Sequence, residues 1–252
     1  SIGFNHYVWM TSFKHDGENA YPLLDEWIKT KAHKYWKNWN PKYYEADMSP
    51  AAVDMYKRFG LFPIGDTPRS GGWKYHTDLN TKKKWYGPLG GFDSEIGWAR
   101  YQADLKKQCE EMLRLHDDPS LSVTRQFPPV NSGEQHIPLV DAIANDQETM
   151  FQVNVPNNGA IDEIPNDVVV EIPALISRSG VKRLRMGRLP NRLMLHAIVP
   201  RMLRMEWALE AFLEGNRDLL TEWLLNDPRT KSAKQAEETL REILKLPFNK
   251  QM

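Results

Sequence analysis

The sequence has little of what marks secreted, membrane-spanning or strongly charged proteins. Its single cysteine, Cys109, excludes an internal disulfide, and no secretory signal is present. No apolar run approaches the roughly 18 residues of a membrane span. Lys and Arg number 33 and so do Asp and Glu, so the formal charge is zero. We therefore expect a cytoplasmic protein that binds neither membranes nor nucleic acid.

Metal-binding spacing is also missing. No two of the seven histidines stand four residues apart, and no His/Cys cluster has the spacing of a zinc site. A metal site would have to be assembled from residues that are distant in the sequence.

What is present indicates a globular domain that belongs to a longer chain. The 252 residues are 41% hydrophobic and 26% charged, which fits one large or two small domains. The chain starts at Ser1 without an initiator methionine, and a buried-looking apolar segment, residues 4–10, follows with no turn before it. We expect a fragment that enters a fold midway.

In the first half, helices are predicted around clear start and stop signals. Residues 21–39 have apolar residues at helical spacing. Ser49 precedes a proline at the first helical position, and Gly60 ends that helix. Residues 61–93 are rich in Gly and Pro and are expected to be largely irregular. Another helix is predicted from Ser94 to about His116.

The second half predicts a small sheet followed by helices. A short helix is expected over 134–146 and strands over 148–155 and 167–172, with turn residues between the strands. Two further short strands are expected near Leu175 and Lys182. From Asn191 onward the pattern is helical, with interruptions at Pro200, Asn216 and Asp227-Pro228. The fold class predicted from these elements is α+β and helix-dominated, with a small central sheet.

Three polar segments are candidate sites. His6 interrupts an apolar segment together with Asn5, and two buried polar side chains need partners, of which a metal is one. Asp66 and Arg69, framed by glycines and prolines, are suited to a base and an anion clamp, but the residues alone favour an ordinary turn started by the Asp, with Arg69 in solvent. Asn158 follows a strand and has the chemistry to bind sugar hydroxyls, but Asn-Gly is also a common turn.

Two basic stretches keep an alternative open. Residues 29–44 mix five lysines with aromatic residues, and residues 181–205 hold seven cations without an acid. Such mixtures can stack bases and neutralise phosphates, so a non-enzymatic nucleic-acid-binding module is the alternative function. No nucleic-acid motif accompanies either stretch.

Three segments in order resemble glycoside hydrolase family 4, and in particular its α-glucosidase and α-galacturonidase branch. They are Gly3-Phe4-Asn5-His6-Tyr7-Val8-Trp9, then Tyr56 to Pro63 leading into Gly65-Asp66, then Val155 to Ile161 with Val168 to Pro173. The resemblance covers nearly the whole chain, but only the carboxy-terminal part of a family member.

The resemblance implies a lactate/malate-dehydrogenase C-terminal-like domain over residues 1–252, with a catalytic and oligomerisation role. The amino-terminal NAD-binding Rossmann domain of the family would be absent, and no Gly-x-Gly-x-x-Gly occurs in the sequence. The implied activity is hydrolysis of an α-glucoside or α-galacturonide with NAD and Mn²⁺ or another divalent metal. It runs by oxidation at sugar C3, deprotonation at C2, elimination, water addition and re-reduction, an exception to the two-carboxylate scheme. The fragment alone would be inactive, and the family implies a homodimer or homotetramer.

Residue by residue, the resemblance assigns His6 to the metal and Asn5 to cofactor and substrate. Asp66 matches the position of the base, with Tyr75 or Tyr7 as substitutes because some relatives use a tyrosine. Beyond Asp66 the sequence departs from the commoner family pattern. We hypothesise that Arg69 there binds a substrate carboxylate, which would favour a uronide.

Overall fold

The computed structural model describes residues 1–4 and 6–249, except for the side chain of Trp73. Its strands are β1 (Ile2–Phe4), β2 (Tyr7–Met10), β3 (Lys14–His15), β4 (Glu18–Asn19), β5 (Phe62–Gly65), β6 (Thr149–Pro156), β7 (Val169–Ser177) and β8 (Gly180–Arg183). Its α-helices are α1 (Tyr21–Thr30), α2 (Ala32–Lys37), α3 (Pro50–Phe59), α4 (Trp73–His76), α5 (Leu79–Tyr86), α6 (Glu95–Asp117), α7 (Val123–Gln126), α8 (His136–Ala144), α9 (Asn191–Leu193), α10 (Val199–Glu214), α11 (Arg217–Leu225) and α12 (Ala233–Leu244).

The central sheet joins distant parts of the chain. Five strands follow the order β5-β2-β1-β7-β6, and β8 pairs with β7 beside β1. All of these pairings are antiparallel. β3 and β4 form a separate two-stranded hairpin. The α+β, helix-dominated fold class with a small antiparallel sheet is confirmed.

One face of the sheet carries the main core. Ile2, Phe4 and Trp9 from the first hairpin and Ile172 from β7 are fully buried there. They pack against a helical segment that includes α9 and a π-helical turn, Met194–Ile198. Alternation along the strands places these side chains on one face, because successive residues of a strand point to opposite sides.

Several helices begin or end at the capping residues predicted from the sequence. Ser49 accepts a hydrogen bond from the N–H of Ala52 at the start of α3, and Gly60 ends that helix with a left-handed φ of 80°. Ser94 caps α6 in the same way. Asn216 caps α11 after the expected break.

Several expectations about elements were wrong in detail. The 21–39 helix is divided at Lys31 into α1 and α2. Residues 61–93 are more regular than expected, with β5, a 3₁₀ turn (Thr67–Ser70), α4 and α5. The strand expected near Leu175 is the second half of β7, since pairing with β6 continues without a break from Val169 to Ile176. No helix among the described residues combines the length and apolar character that crossing a membrane requires.

Candidate functional site

The pairing of β2 with β5 brings two of the predicted site residues together. Tyr7 pairs with Gly65 and Val8 with Ile64. Continued by one position, this register places His6 opposite Asp66, just beyond the ends of both strands. Residues 60 positions apart in sequence thereby share one corner of the sheet.

The buried side chain of Thr67, just after β5, forms hydrogen bonds with the backbone of the β2 segment at this corner. Its Oγ1 accepts a hydrogen bond from the N–H of Val8 at 2.6 Å and donates to the Val8 carbonyl at 2.8 Å. The same oxygen lies 3.3 Å from the carbonyl oxygen of His6. Because Thr67 directly follows Asp66, this clamp holds the two candidate site residues in a defined relation.

Pairing of β1 with β7 adds an acidic residue beside His6. Gly3 pairs with Glu171, and the Glu171 Oε2 lies 3.9 Å from the Nδ1 of His6. That oxygen is buried and has no hydrogen-bond partner among the described residues. Gly3 permits the tight hairpin, since a Cβ there would lie 2.0 Å from the carbonyl oxygen of Tyr7. His6 itself has a positive φ of 57° and a side chain that is 73% exposed.

His6 and Glu171 fit part of a metal centre. Metal-binding histidines commonly present their second ring nitrogen to a carboxylate, which fixes the orientation of the ring. Glu171 is placed to do this from the Nδ1 side, which leaves the Nε2 of His6 for a metal. No group of three His, Cys, Asp or Glu side chains that could hold a metal occurs among the described residues. The described residues thus bring together two groups with the chemistry of a metal site, but not a complete set of ligands.

Asp66 is held by its neighbour Arg69. The Nη2 of Arg69 donates to the Oδ2 of Asp66 at 2.7 Å, and its guanidinium lies 4.4 Å from the centre of the Phe92 ring. Asp47 is close enough to interact with Asp66: burial raises the pKa of Asp47, and the charges of Asp66 and Glu45 raise it further. Arg69 is thus engaged with Asp66 and Phe92 in this structure.

The two tyrosines proposed as substitute bases are buried. Tyr75 is 3% exposed, and its hydroxyl donates to the Oδ2 of Asp54 at 2.7 Å. Burial and this hydrogen bond raise its pKa far above the usual value. Tyr7 is 9% exposed, and burial raises its pKa to about 12. Asp66, 47% exposed at its side chain, is the accessible candidate of the three.

The remaining predicted residues are not joined to this corner. Asn158 is exposed in a turn with φ 41°. No contact within the described part of the chain connects it to His6 or Asp66. The neighbouring Asn157 is fully buried and holds the turn, donating to the carbonyls of Ile161 and Ile164. Asn5 lies outside the described residues.

In the basic stretch 181–205, four of the seven cations form ion pairs with acids from elsewhere in the described chain. The ion pairs are Lys182–Glu148, Arg185–Asp162, Arg188–Glu163 and Arg204–Asp227. In the stretch 29–44, Trp36 is turned inward and donates its ring N–H to the Met48 carbonyl.

Glu171 was missed as a site residue by the sequence reasoning. A signal was present, because it is the lone charge between the strand residues Val168–Val170 and Ile172. A charged side chain in a buried strand needs a partner. Its proximity to His6 could not be known without the pairing of β1 with β7.

Comparison with known proteins identifies the family. The model of the family 4 glycosyl hydrolase C-terminal domain matches residues 1–230. The chain belongs to glycosyl hydrolase family 4. The resemblance stated from the sequence, including its restriction to the carboxy-terminal part, is confirmed.

Among curated relatives of this family 4 chain are two α-galacturonidases. That of Thermoanaerobacterium saccharolyticum is 26% identical over 259 residues, which cover 96% of this chain and 52% of the relative. That of Lachnoclostridium phytofermentans is 23% identical, with 94% of this chain and 50% of the relative covered. The chain thus spans about half the length of the curated relatives it matches.

Solved structures share the fold. The Bacillus subtilis protein lplD superposes with a TM-score of 0.73 at 22% identity, covering 96% of this chain and 54% of that one. A 6-phospho-α-glucosidase from gut microorganisms, crystallised with NAD and Mn²⁺, gives a TM-score of 0.63 at 22% identity and covers 96% and 53%. The C-terminal domain of such family 4 glucosidases is lactate-dehydrogenase-like, as expected for this chain.

Proposed function

We propose that this chain is the carboxy-terminal part of an NAD- and divalent-metal-dependent glycosidase that acts on α-galacturonides or α-glucosides. Membership of family 4 and the α-galacturonidase relatives support glycoside hydrolysis. We also propose that the protein is cytoplasmic and that its NAD-binding half lies outside residues 1–252. By this proposal the chain alone has no activity.

One observation carries the proposal: three strand pairings bring His6, Asp66 and Glu171 to one corner of the sheet. An accessible imidazole, a buried carboxylate beside it and an accessible carboxylate opposite it can serve as metal ligand, orienting group and base.

The chain's own residues would divide the work as follows. When bound, NAD and the metal supply oxidation at sugar C3 and polarisation of the resulting carbonyl. His6 would hold the metal through Nε2, and Glu171 would fix the orientation of its ring. Asp66 would accept the proton from sugar C2. Arg69 holds the Oδ2 of Asp66, and no hydrogen bond within the described residues involves Oδ1, which is left to face the substrate.

Asn5 is proposed to contact substrate or cofactor because of its place beside His6 in the family motif. For Asn158 we propose only a peripheral contact with the sugar. Arg69 is also proposed to contact the substrate. To bind a substrate carboxylate, its guanidinium would have to exchange Asp66 for that carboxylate.

Association into a homodimer or homotetramer is also proposed. Large apolar side chains on α10 and its approach are exposed, among them Leu195 at 68%, Phe212 at 70% and Leu213 at 73%. Exposed apolar side chains on a helix are often covered at a protein interface. Light scattering on the chain tests this directly, and a monomer at high concentration would contradict it.

The deciding experiment is an assay of the longer protein that carries this chain, on aryl α-galacturonides and α-glucosides. NAD, Mn²⁺ and a reductant are present and are omitted in turn. We expect activity to require NAD and to vanish with EDTA. In D₂O the product sugar should gain deuterium at C2, because the base exchanges its proton with solvent. Activity that is indifferent to NAD, or product without deuterium, would contradict the proposal.

Three variants and one control variant test the residue roles. Asp66→Asn should lower kcat by about 10²–10⁴-fold, the usual contribution of a general base. Asp47→Asn is the matched control, a nearby carboxylate with no proposed role, and Tyr75→Phe tests the rival base. Equal losses for Asp66→Asn and Asp47→Asn, or abolished deuterium exchange in Tyr75→Phe, would overturn the assignment of Asp66. Glu171→Gln should weaken Mn²⁺ binding by about 10–100-fold.

A further inference from the structure

A pocket lies next to the corner formed by His6 and Asp66. Its volume is about 200 Å³, and it is bounded by β2, the turn after the 3₁₀ segment and the start of α10. Its lining includes Tyr7, Ser70, Gly71, Gly72, Arg201 and Arg204.

The pocket contains an arginine without a counter-charge. No carboxylate of the described residues lies within ion-pair distance of Arg201, and its buried Nε has no hydrogen-bond partner. Burial, and secondarily the charge of Arg204, lower its pKa below the usual arginine value. A partly buried guanidinium without an anionic partner is destabilising compared with one in full contact with water, so such a group is suited to bind an anion.

Neighbouring arginines are differently placed. Arg204 and Arg229 share Asp227, which accepts from both guanidinium groups. Arg229 also reaches Asp93 at 3.5 Å. These two cations are paired inside the protein. The positive charge that remains at the pocket is that of Arg201, with the unpartnered Nε of Arg204 beside it.

The pocket is connected to the proposed catalytic corner at two points. Tyr7 directly follows His6, and the guanidinium of Arg201 lies 5.7 Å from the centre of the Tyr7 ring. Ser70 donates from its hydroxyl to the Asp66 carbonyl at 3.2 Å. A ligand in the pocket would therefore contact residues that are held directly to both His6 and Asp66.

The walls leave room for a polar ligand beside Arg201. Gly71 and Gly72 form one wall without side chains. A Cβ on Gly71 would overlap Met55 and Tyr75, and Gly72 has a φ of 97° that disfavours other residues. The wall is thus glycine for structural reasons, and its backbone is exposed to the pocket.

We propose that Arg201 binds the anionic group of a sugar substrate, a hexuronide carboxylate or a sugar phosphate, in this pocket. The inference rests on the proposed function for the identity of the ligand as a sugar. By this proposal Arg201 binds the anionic group instead of Arg69, because the guanidinium of Arg69 already contacts Asp66 and Phe92. Arginine suits either anion because its planar fork binds both bidentately.

The test is equilibrium binding to the longer protein that carries this chain, without NAD or metal, so that it is independent of turnover. The probes are D-galacturonate, D-glucose 6-phosphate and neutral D-galactose, at equal ionic strength, followed by melting temperature and calorimetry. We expect an anionic sugar at ten times its Kd to raise Tm by about 3 °C and galactose to have no effect. Galacturonate alone binding would identify a carboxylate subsite, and glucose 6-phosphate alone a phosphate subsite. Binding of neither, or of galactose equally well, would overturn the proposal.

Variants assign the binding to Arg201. Arg201→Gln should weaken binding of the anionic sugar at least about tenfold, since hydrogen bonds to a charged group are lost. Arg201→Lys should retain part of the affinity because the charge stays. The matched control is Arg185→Gln, a surface arginine with a 77% exposed side chain, which should bind as the parent does. Equal affinity in Arg201→Gln and the parent would overturn the assignment.

A second measurement needs no ligand. Because Arg201 lacks an anionic partner, Arg201→Met should raise the Tm of the ligand-free protein by about 2 °C or more. An arginine with a purely structural role would give the opposite sign. A lowered Tm in both Arg201→Met and Arg201→Gln would show that the guanidinium stabilises the free protein, and would refute the proposed site.

Discussion

Asp227 forms ion pairs with Arg204 and Arg229, so its substitution tests how much these ion pairs stabilise the fold. It is 14% exposed at its side chain. Oδ1 accepts from the Arg229 backbone N–H at 2.8 Å and from its Nε at 3.0 Å, while Oδ2 accepts from Arg204 at 2.5 Å. Asp227→Asn keeps the size of the side chain and removes its charge.

The magnitude follows from the pKa of this carboxyl group. Burial by itself would raise that pKa, but the hydrogen bonds and charge of Arg229, followed by the charge of Arg204, hold it at about 2 instead of 3.8. Each pKa unit corresponds to about 1.4 kcal/mol, so the ionised form contributes about 2 kcal/mol to the free energy of unfolding. Asp227→Asn should lose about this amount at pH 7.

The sign of the pH dependence is set by linkage. The folded protein binds the proton of Asp227 more weakly than the unfolded chain does, so the contribution is complete above about pH 4 to 5 and disappears as the pH falls through about 2. At pH 3 the difference between parent and Asp227→Asn should have shrunk to about half its value at pH 7.

Urea unfolding of parent and variant at pH 7, 5 and 3 measures this difference. Asp16→Asn is the control, because the Asp16 side chain is 90% exposed and should contribute almost nothing at any of these pH values. A difference for Asp227→Asn below about 0.5 kcal/mol at pH 7, or one that is the same at pH 3 and pH 7, would refute the reasoning.

Three further predictions concern residues that hold the backbone of this fold in place, each measured by urea unfolding. Gly3→Ala should destabilise by about 2 kcal/mol or more, because its Cβ would meet the Tyr7 carbonyl oxygen at 2.0 Å; a neutral effect would contradict the hairpin geometry. Thr67→Val should cost about 1–3 kcal/mol by unpairing backbone groups of β2, whereas Thr67→Ser should recover most of the loss. Asn157→Ala should cost about 2 kcal/mol or more because its amide satisfies three buried backbone groups, while Asn158→Gly should be nearly neutral; the reverse order would refute the role given to Asn157.

Local signals in the sequence located many element boundaries. Ser49, Gly60, Ser94 and Asn216 act through hydrogen bonds and φ angles within a few residues, so their effect depends little on the rest of the fold. The same holds for the β6–β7 hairpin, whose turn was evident from its asparagines, glycine and prolines.

Elements that depend on distant partners were harder to predict. Residues 61–93 looked irregular because β5 is only four residues long and gains its stability from pairing with β2. The full length of β7 was hidden because its buried partners lie on β1, β6 and β8. Strand pairing is a non-local interaction, so a pattern within one segment does not determine it.

The same distinction applies to the candidate site. The sequence by itself was enough to predict the family and the fold class, because the motifs that carry the resemblance to family 4 lie along the chain. The same motifs proposed His6 and Asp66 as site residues. Only the tertiary structure decided that Glu171 lies beside His6, that Tyr75 is buried against Asp54 and that Arg69 is engaged while Arg201 lacks a counter-charge. The partner of a charged group is set by strand register and helix packing across distant segments, and neither is encoded at the position of the residue itself.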